Sequence, residues 1–237
     1  MEHGHSHEAI RQRLSVTPPT NYLRDWIYGG IDGAVTTFAI VSGVVGAQLE
    51  STVIVILGCA NLLADGFSMA AGNFTGTRAE REELRRLEAV ERRHITEEPE
   101  GEREEVREIY RKKGFEGELL ESVVDVLTSD NDRWVRTMLT EEYGLPLSVR
   151  SPALAALSTF SAFFVCGGIP LLPFLLDRGG FVASSVLTGA VFFAIGAGKS
   201  RWSTSSWWAS GAETLLTGGF AAALAYGVGH LLHGLVN

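Results

Sequence analysis

The sequence predicts an all-α membrane protein of five transmembrane helices, with a highly charged, cytoplasmic helical insert between helices 2 and 3. Three observations carry the architecture. Charge is segregated: residues 78–142 hold 20 of the 28 acidic and 13 of the 20 basic residues, and with them seven of the eight net negative charges. Outside that block lie five apolar stretches, each near the ~20 residues a helix needs to cross a bilayer. Glycine and proline fall between and within these stretches at positions that end or bend helices. The averages hide this division: 46% hydrophobic residues, 20% charged residues and a mean hydropathy of +0.13 resemble those of a soluble chain.

Residues 27–49 contain one charge, Asp32, and as a helix would run roughly 34 Å. Residues 53–74 are similar, with Asp65 as the lone charge. Residues 152–176 carry none, but Pro170 and Pro173 follow Gly167-Gly168 and should kink or unwind that span. The turn Asp177-Arg178-Gly179-Gly180 leads to residues 181–198, also uncharged. Trp202, Trp207 and Trp208 then gather as aromatics do at a headgroup interface. Residues 207–235 hold Glu213, His230 and His233; Glu213 is expected near the cytoplasmic interface. Small residues four apart (Gly29 with Gly33, Gly43 with Ala47, Ala60 with Ala64, Gly218 with Ala222) should let helices approach closely in lipid.

The chain divides into a polar tail (1–24), spans one and two (25–77), the insert (78–148) and spans three to five (149–237). Lysine and arginine in the short loops set the orientation. The loop of residues 48–52 has none, whereas Arg11, Arg13 and Arg24 precede span one and Lys199 and Arg201 follow span four. The N-terminus and insert are therefore expected in the cytoplasm and the C-terminus outside. The first 20 residues are polar and carry no signal-peptide pattern, so span one should act as its own insertion signal, and a prokaryotic plasma membrane is the expected location. Cys59 and Cys166 read as small buried hydrophobes without a disulfide.

Within the insert, helices are expected over 78–95, 102–113, 116–127 and 130–143, with a break at Pro99 and Gly101. The first should continue rigidly out of span two.

Charged groups inside a span are costly and mark a pathway or a partner. Asp32 reads as an interfacial carboxylate or as an ion ligand. In span two, Asn61, Asp65, Met69 and Asn73 recur every four residues and line one helix face, since each step drifts only about 40°. That face offers oxygen and thioether donors suited to a borderline transition metal. It reads equally as a polar seam between helices. In the insert, Glu91 with His94, Glu102 with Glu105, and Met138 with Glu142 can each meet on one helix face. By periodicity alone the simpler reading is a set of solvated faces. The His3-Gly4-His5-Ser6-His7 tail reads as disordered rather than as a metal site. No phosphate loop or nucleophile motif is present.

The stretches Asp32-Gly33-Ala34-Val35-Thr36-Thr37-Phe38 and Ser42-Gly43-Val44-Val45-Gly46 resemble the first span of the vacuolar iron transporter family. Ala64-Asp65-Gly66-Phe67-Ser68-Met69-Ala70-Ala71-Gly72 resembles its second. Gly167-Gly168-Ile169-Pro170-Leu171-Leu172-Pro173 and Thr214-Leu215-Leu216-Thr217-Gly218-Gly219 resemble its third and fifth. The resemblance covers nearly the whole chain after Asn21. It implies a homodimer that moves Fe²⁺, and often Mn²⁺, out of the cytosol in exchange for protons. Metal is then the cargo, with no permanent cofactor and no nucleic-acid partner. It implies Asp32 and Met69 as translocation residues at the dimer interface, with Asp65 a substitute carboxylate because the family's acidic position is Asn61 here. It implies Glu91, Glu102, Glu105, Glu142 and Met138 as metal ligands of the insert, with His94 in place of a glutamate and Leu139 in place of a methionine. A membrane-anchored metal sensor or buffer, or a transporter for Mn²⁺ or another divalent ion, are the alternatives.

Overall fold

The computed structural model describes residues 4, 6–15, 20–146, 150–202 and 204–236. Every regular element among them is a helix. His3 and His5 of the histidine-bearing tail lie outside the described residues, while His7 opens a short helix, α1 (His7–Ser15).

Five helices are long and apolar enough to cross a membrane, in the number expected. Span one is α2 (Leu23–Gly46), which starts four residues earlier than the apolar run and so takes in Arg24 and Asp25. It stops where Gln48 adopts a positive φ of 56°. Span two belongs to α3 (Ser51–Glu97), a single helix of 47 residues. At about 1.5 Å per residue it runs roughly 70 Å, more than twice a ~30 Å hydrocarbon core, so it carries the chain out of the membrane zone and into the insert without a hinge. Gly76 does not interrupt it.

The insert continues with α4 (Pro99–Lys112), α5 (Gly117–Thr128) and α6 (Asn131–Glu141). Pro99 does not merely break α3: it sits in the first turn of α4, where its missing N–H costs nothing, and the link is the single residue Glu98. Asp130 caps α6, its carboxylate accepting from the N–H of Arg133 at 2.8 Å. The helices close on Val106, Val124, Val135 and Met138, all essentially inaccessible, together with Ile95, Leu120, Trp134 and Leu139. The insert thus has its own apolar core, separate from that of the spans.

Span three is α7 (Pro152–Gly168), a 3₁₀ turn at Ile169–Leu171 and a last short helical turn, α8 (Leu172–Leu175). The change of winding falls at Pro170, as expected, and the freed carbonyl of Pro170 accepts from the Ser184 hydroxyl at 2.7 Å. Span four is α9 (Gly180–Lys199) and span five α10 (Trp207–Val236). The turn before α9 needs positive φ at Gly179 (78°) and Gly180 (53°).

α2 is the central helix, packed against α7, α10, α3 and α9. Its glycines set the spacing: a Cβ on Gly29 would stand 2.3 Å from the Thr159 carbonyl oxygen, and one on Gly33 2.4 Å from that of Phe163. At the other end Gly43 meets Gly229 of α10. Two small-residue expectations differ from this picture. Gly218 receives the Phe192 ring rather than a backbone, and Ala60 and Ala64 are exposed on the outer face of α3. Cys59 shares that outer face and is exposed, not buried; Cys166 is buried, and both are free thiols. Glu213 sits near the start of α10 with Lys199 Nζ 3.4 Å away.

Candidate functional site

Asp32 is half-buried on α2, and Asp65, on α3, lies near enough for the two carboxylates to repel one another. One turn from Asp65, Asn61 donates through Nδ2 to Thr36 Oγ1 (3.2 Å) and Thr37 Oγ1 (3.3 Å). Thr36 in turn donates to the backbone oxygen of Asp32 at 2.8 Å. Where no water is at hand to satisfy an amide, these bonds make Asn61 a tie between the first two spans beside Asp32. The polar line on α3 is therefore both a seam and a candidate pathway.

Met69 continues the line, half-buried against the apolar core of the spans. It also opens onto a cavity of about 400 Å³ whose far wall includes Asp25, Asn73, Thr77, Glu80 and Arg150. Asn73 is the hub of that wall. Its Nδ2 reaches Asp25 Oδ1 (2.9 Å), Thr159 Oγ1 (2.7 Å) and the Ala155 carbonyl (3.2 Å), and its Oδ1 accepts from Thr77 Oγ1 at 3.2 Å. Asp25 is buried and takes two bonds from Arg150 Nη1, at 2.8 and 3.0 Å. Glu80 stands 3.8 Å from the other guanidinium nitrogen. Asn73, one of the four residues of the polar line, is thus engaged in structural bonds. Asp25 and Arg150 escaped the sequence reading. Their one signal is a carboxylate at the head of an apolar span and an arginine just before another.

In the insert, α3, α4 and α6 bring Glu91, His94, Glu102, Glu105 and Glu142 into one neighbourhood. Glu91 is only 1% exposed; its Oε1 accepts from the Tyr143 hydroxyl at 2.9 Å, and its Oε2 is buried without a partner. Glu102 is buried as well, with Oε1 3.2 Å from His94 Nδ1 and Oε2 unpartnered. Burial, followed by the charges of Glu91 and Glu105, pushes the Glu102 carboxyl up to about 7. Burial and then Glu105 and Glu91 also raise Glu142. Burial and the bond to Glu91 raise the Tyr143 phenol, a contributor that the sequence reading passed over. Met138 lies one turn before Glu142, whose N–H donates to its carbonyl at 2.9 Å, but its side chain is fully buried in the insert core. Among the described residues, no three His, Cys, Asp or Glu side chains close into a ready metal cage. Crowded acids with orphaned buried oxygens hold protons, and they exchange those protons for a cation when one is supplied.

A bundle of five apolar helices with a carboxylate and thioether seam, fed by a cavity at one end, is the architecture of a membrane carrier. The chain belongs to the VIT family, whose model matches residues 23–230, insert included. It is 32% identical over 232 residues to a vacuolar iron transporter of Toxoplasma gondii, covering 92% of this chain and 76% of that one. It is 32% identical over 208 residues to vacuolar iron transporter 1 of Arabidopsis thaliana (86% and 83%), and 28% identical over 230 residues to vacuolar iron transporter 1 of Oryza sativa (95% and 90%). The family's members are transporters, not enzymes, and this integral multi-pass membrane protein is a secondary transporter by that membership.

Proposed function

We propose that the chain exports divalent iron, and manganese with it, from the cytosol in exchange for protons, and so guards against iron excess. The observation that carries this reading is the line of Asn61, Asp65 and Met69 along α3, beside Asp32 at one end and opening at Met69 onto the cavity that Asp25 and Glu80 border. Oxygen and thioether donors in that order suit a borderline divalent ion, which sheds water in steps as it enters. Asp32 and Met69 are the metal ligands of the route, and Asp32 or Asp65 carries the returning proton.

On α3, Asp65 of the polar line and Ala60 and Ala64 of the outer face are all exposed in the single chain. A carboxylate facing hydrocarbon is costly, which supports a homodimer that closes the route between two copies of this face. The insert, on the cytoplasmic side, collects metal through Glu91, His94, Glu102, Glu105, Met138 and Glu142 and raises its concentration at the mouth.

A sensor or buffer without transport rests on one observation, the independent core of the insert. Proteoliposomes separate the two readings. Fe²⁺ uptake that follows an imposed pH gradient supports the exchanger, whereas saturable binding without flux supports the buffer. Competition among Fe²⁺, Mn²⁺, Co²⁺ and Zn²⁺ ranks the cargo.

A further inference from the structure

Most arginines of the insert hold a carboxylate: Arg92, Arg103, Arg107 and Arg111 each pair with a glutamate or aspartate. Like Arg86, Arg81 and Arg85 do not; among the described residues neither has a hydrogen bond or an ion pair. Both line a groove of about 410 Å³ between α3 and the head of α7, together with Phe74, Arg78 and Ser151–Ala153. Glu82 also lines it, but Arg78 Nε engages that carboxylate at 2.7 Å. The groove therefore presents two uncompensated positive charges on one helix face, since Arg78, Arg81 and Arg85 fall at i, i+3 and i+7.

Its position is set by the sequence. Phe74 ends the apolar run of span two and Pro152 begins span three, so the groove lies where hydrocarbon gives way to headgroups. No side chain caps the N-terminus of α7, and that end of a helix adds positive potential at the same spot. Leu154 and Leu157, which follow the groove's Pro152 and Ala153 along α7, are 52% and 59% exposed and offer an apolar track. Met69, Asn73 and Glu80 look out from α3 on nearly the opposite side, so the groove is separate from the metal route.

We propose that this groove binds one anionic phospholipid, its phosphate between Arg81, Arg85 and the head of α7, and its acyl chain along Phe74 and Leu157. Charge and shape both favour that occupant. A free phosphate would leave the apolar half unused, and a zwitterionic lipid would bring its own cation to the arginines. A bound lipid here would brace the junction at which the rigid α3 leaves the spans.

Native mass spectrometry of the detergent-purified full chain tests this with phosphatidylglycerol, phosphatidylcholine and inorganic phosphate as probes. The expected result is one saturable phosphatidylglycerol adduct, at least tenfold tighter than phosphatidylcholine, that millimolar phosphate does not displace. Arg81→Ala or Arg85→Ala should each weaken it about tenfold, while Arg86→Ala, an equal loss of charge outside the groove, leaves it within twofold of wild type. Equal binding of the two lipids, displacement by free phosphate, or an Arg86→Ala loss as large as that of Arg81→Ala would overturn the proposal. The lipid comparison on the unaltered chain stands even if a variant fails to fold.

Discussion

Arg150 donates to both carboxylate oxygens of Asp25, at 2.8 and 3.0 Å, and this pair ties the start of span three to the start of span one at the wall of the cavity. The Asp25 side chain is 6% exposed and that of Arg150 25%, so solvent screens the pair little. Removing the arginine strands a buried charge, which costs about 3 kcal/mol. Arg150→Ala should lower the thermal midpoint in detergent by several degrees. Adding Asp25→Asn should restore most of the loss, because the amide needs no counter-charge. A double variant no better than the single one would show that the arginine acts through something other than Asp25.

Close approach of α2 and α7 depends on hydrogen as a side chain. Gly33→Ala places a methyl carbon 2.4 Å from the Phe163 carbonyl oxygen, so the helices must separate. The expected cost is about 1–3 kcal/mol, seen as lower folded yield and a lower midpoint. Gly219→Ala, with nothing within 4 Å of the added carbon, should change neither.

The acidic cluster makes the metal-free insert pH-sensitive. Glu102 titrates near 7 when folded, against an ordinary 4.5, so the folded state retains a proton that the unfolded chain has released. The stability this gives is present in full below about 4.5 and is lost as pH rises through about 7. Glu142 acts in the same sense. With chelator present, hydrogen exchange of the α4 and α6 amides, corrected for intrinsic rates, should show protection falling between pH 5.5 and 8 by on the order of 2 kcal/mol. Glu102→Gln should flatten that slope. An unchanged slope would remove Glu102 as its source.

Much of this was legible in the sequence because it repeats. Five apolar runs of spanning length, the helices of the insert and the change of winding at Pro170 all follow from local pattern, since a helix needs its own residues before it needs neighbours. What escaped was pairing at a distance. Asp25 and Arg150 are 125 positions apart, and Tyr143 and Glu91 are 52 apart; neither pair has a period. Asn61 and Asn73 stood out as members of one polar line, but their partners, Thr36 and Thr37 in one case and Asp25 and Thr159 in the other, emerge only when α2, α3 and α7 pack. Cys59 read as an interior residue, and Ala60 with Ala64 as a helix-packing pair, because small apolar side chains look alike from sequence whether they meet a helix, a second copy or lipid.

The claim on which the rest depends is that metal crosses between Asp32 and Met69. The direct measurement is Fe²⁺ flux into proteoliposomes under an imposed pH gradient, for the wild type, Asp32→Ala and Met69→Ala reconstituted at equal density. The account predicts flux for the wild type and at least a tenfold loss for each variant, with the insert's metal binding unchanged. Flux at the wild-type rate in both variants would contradict it.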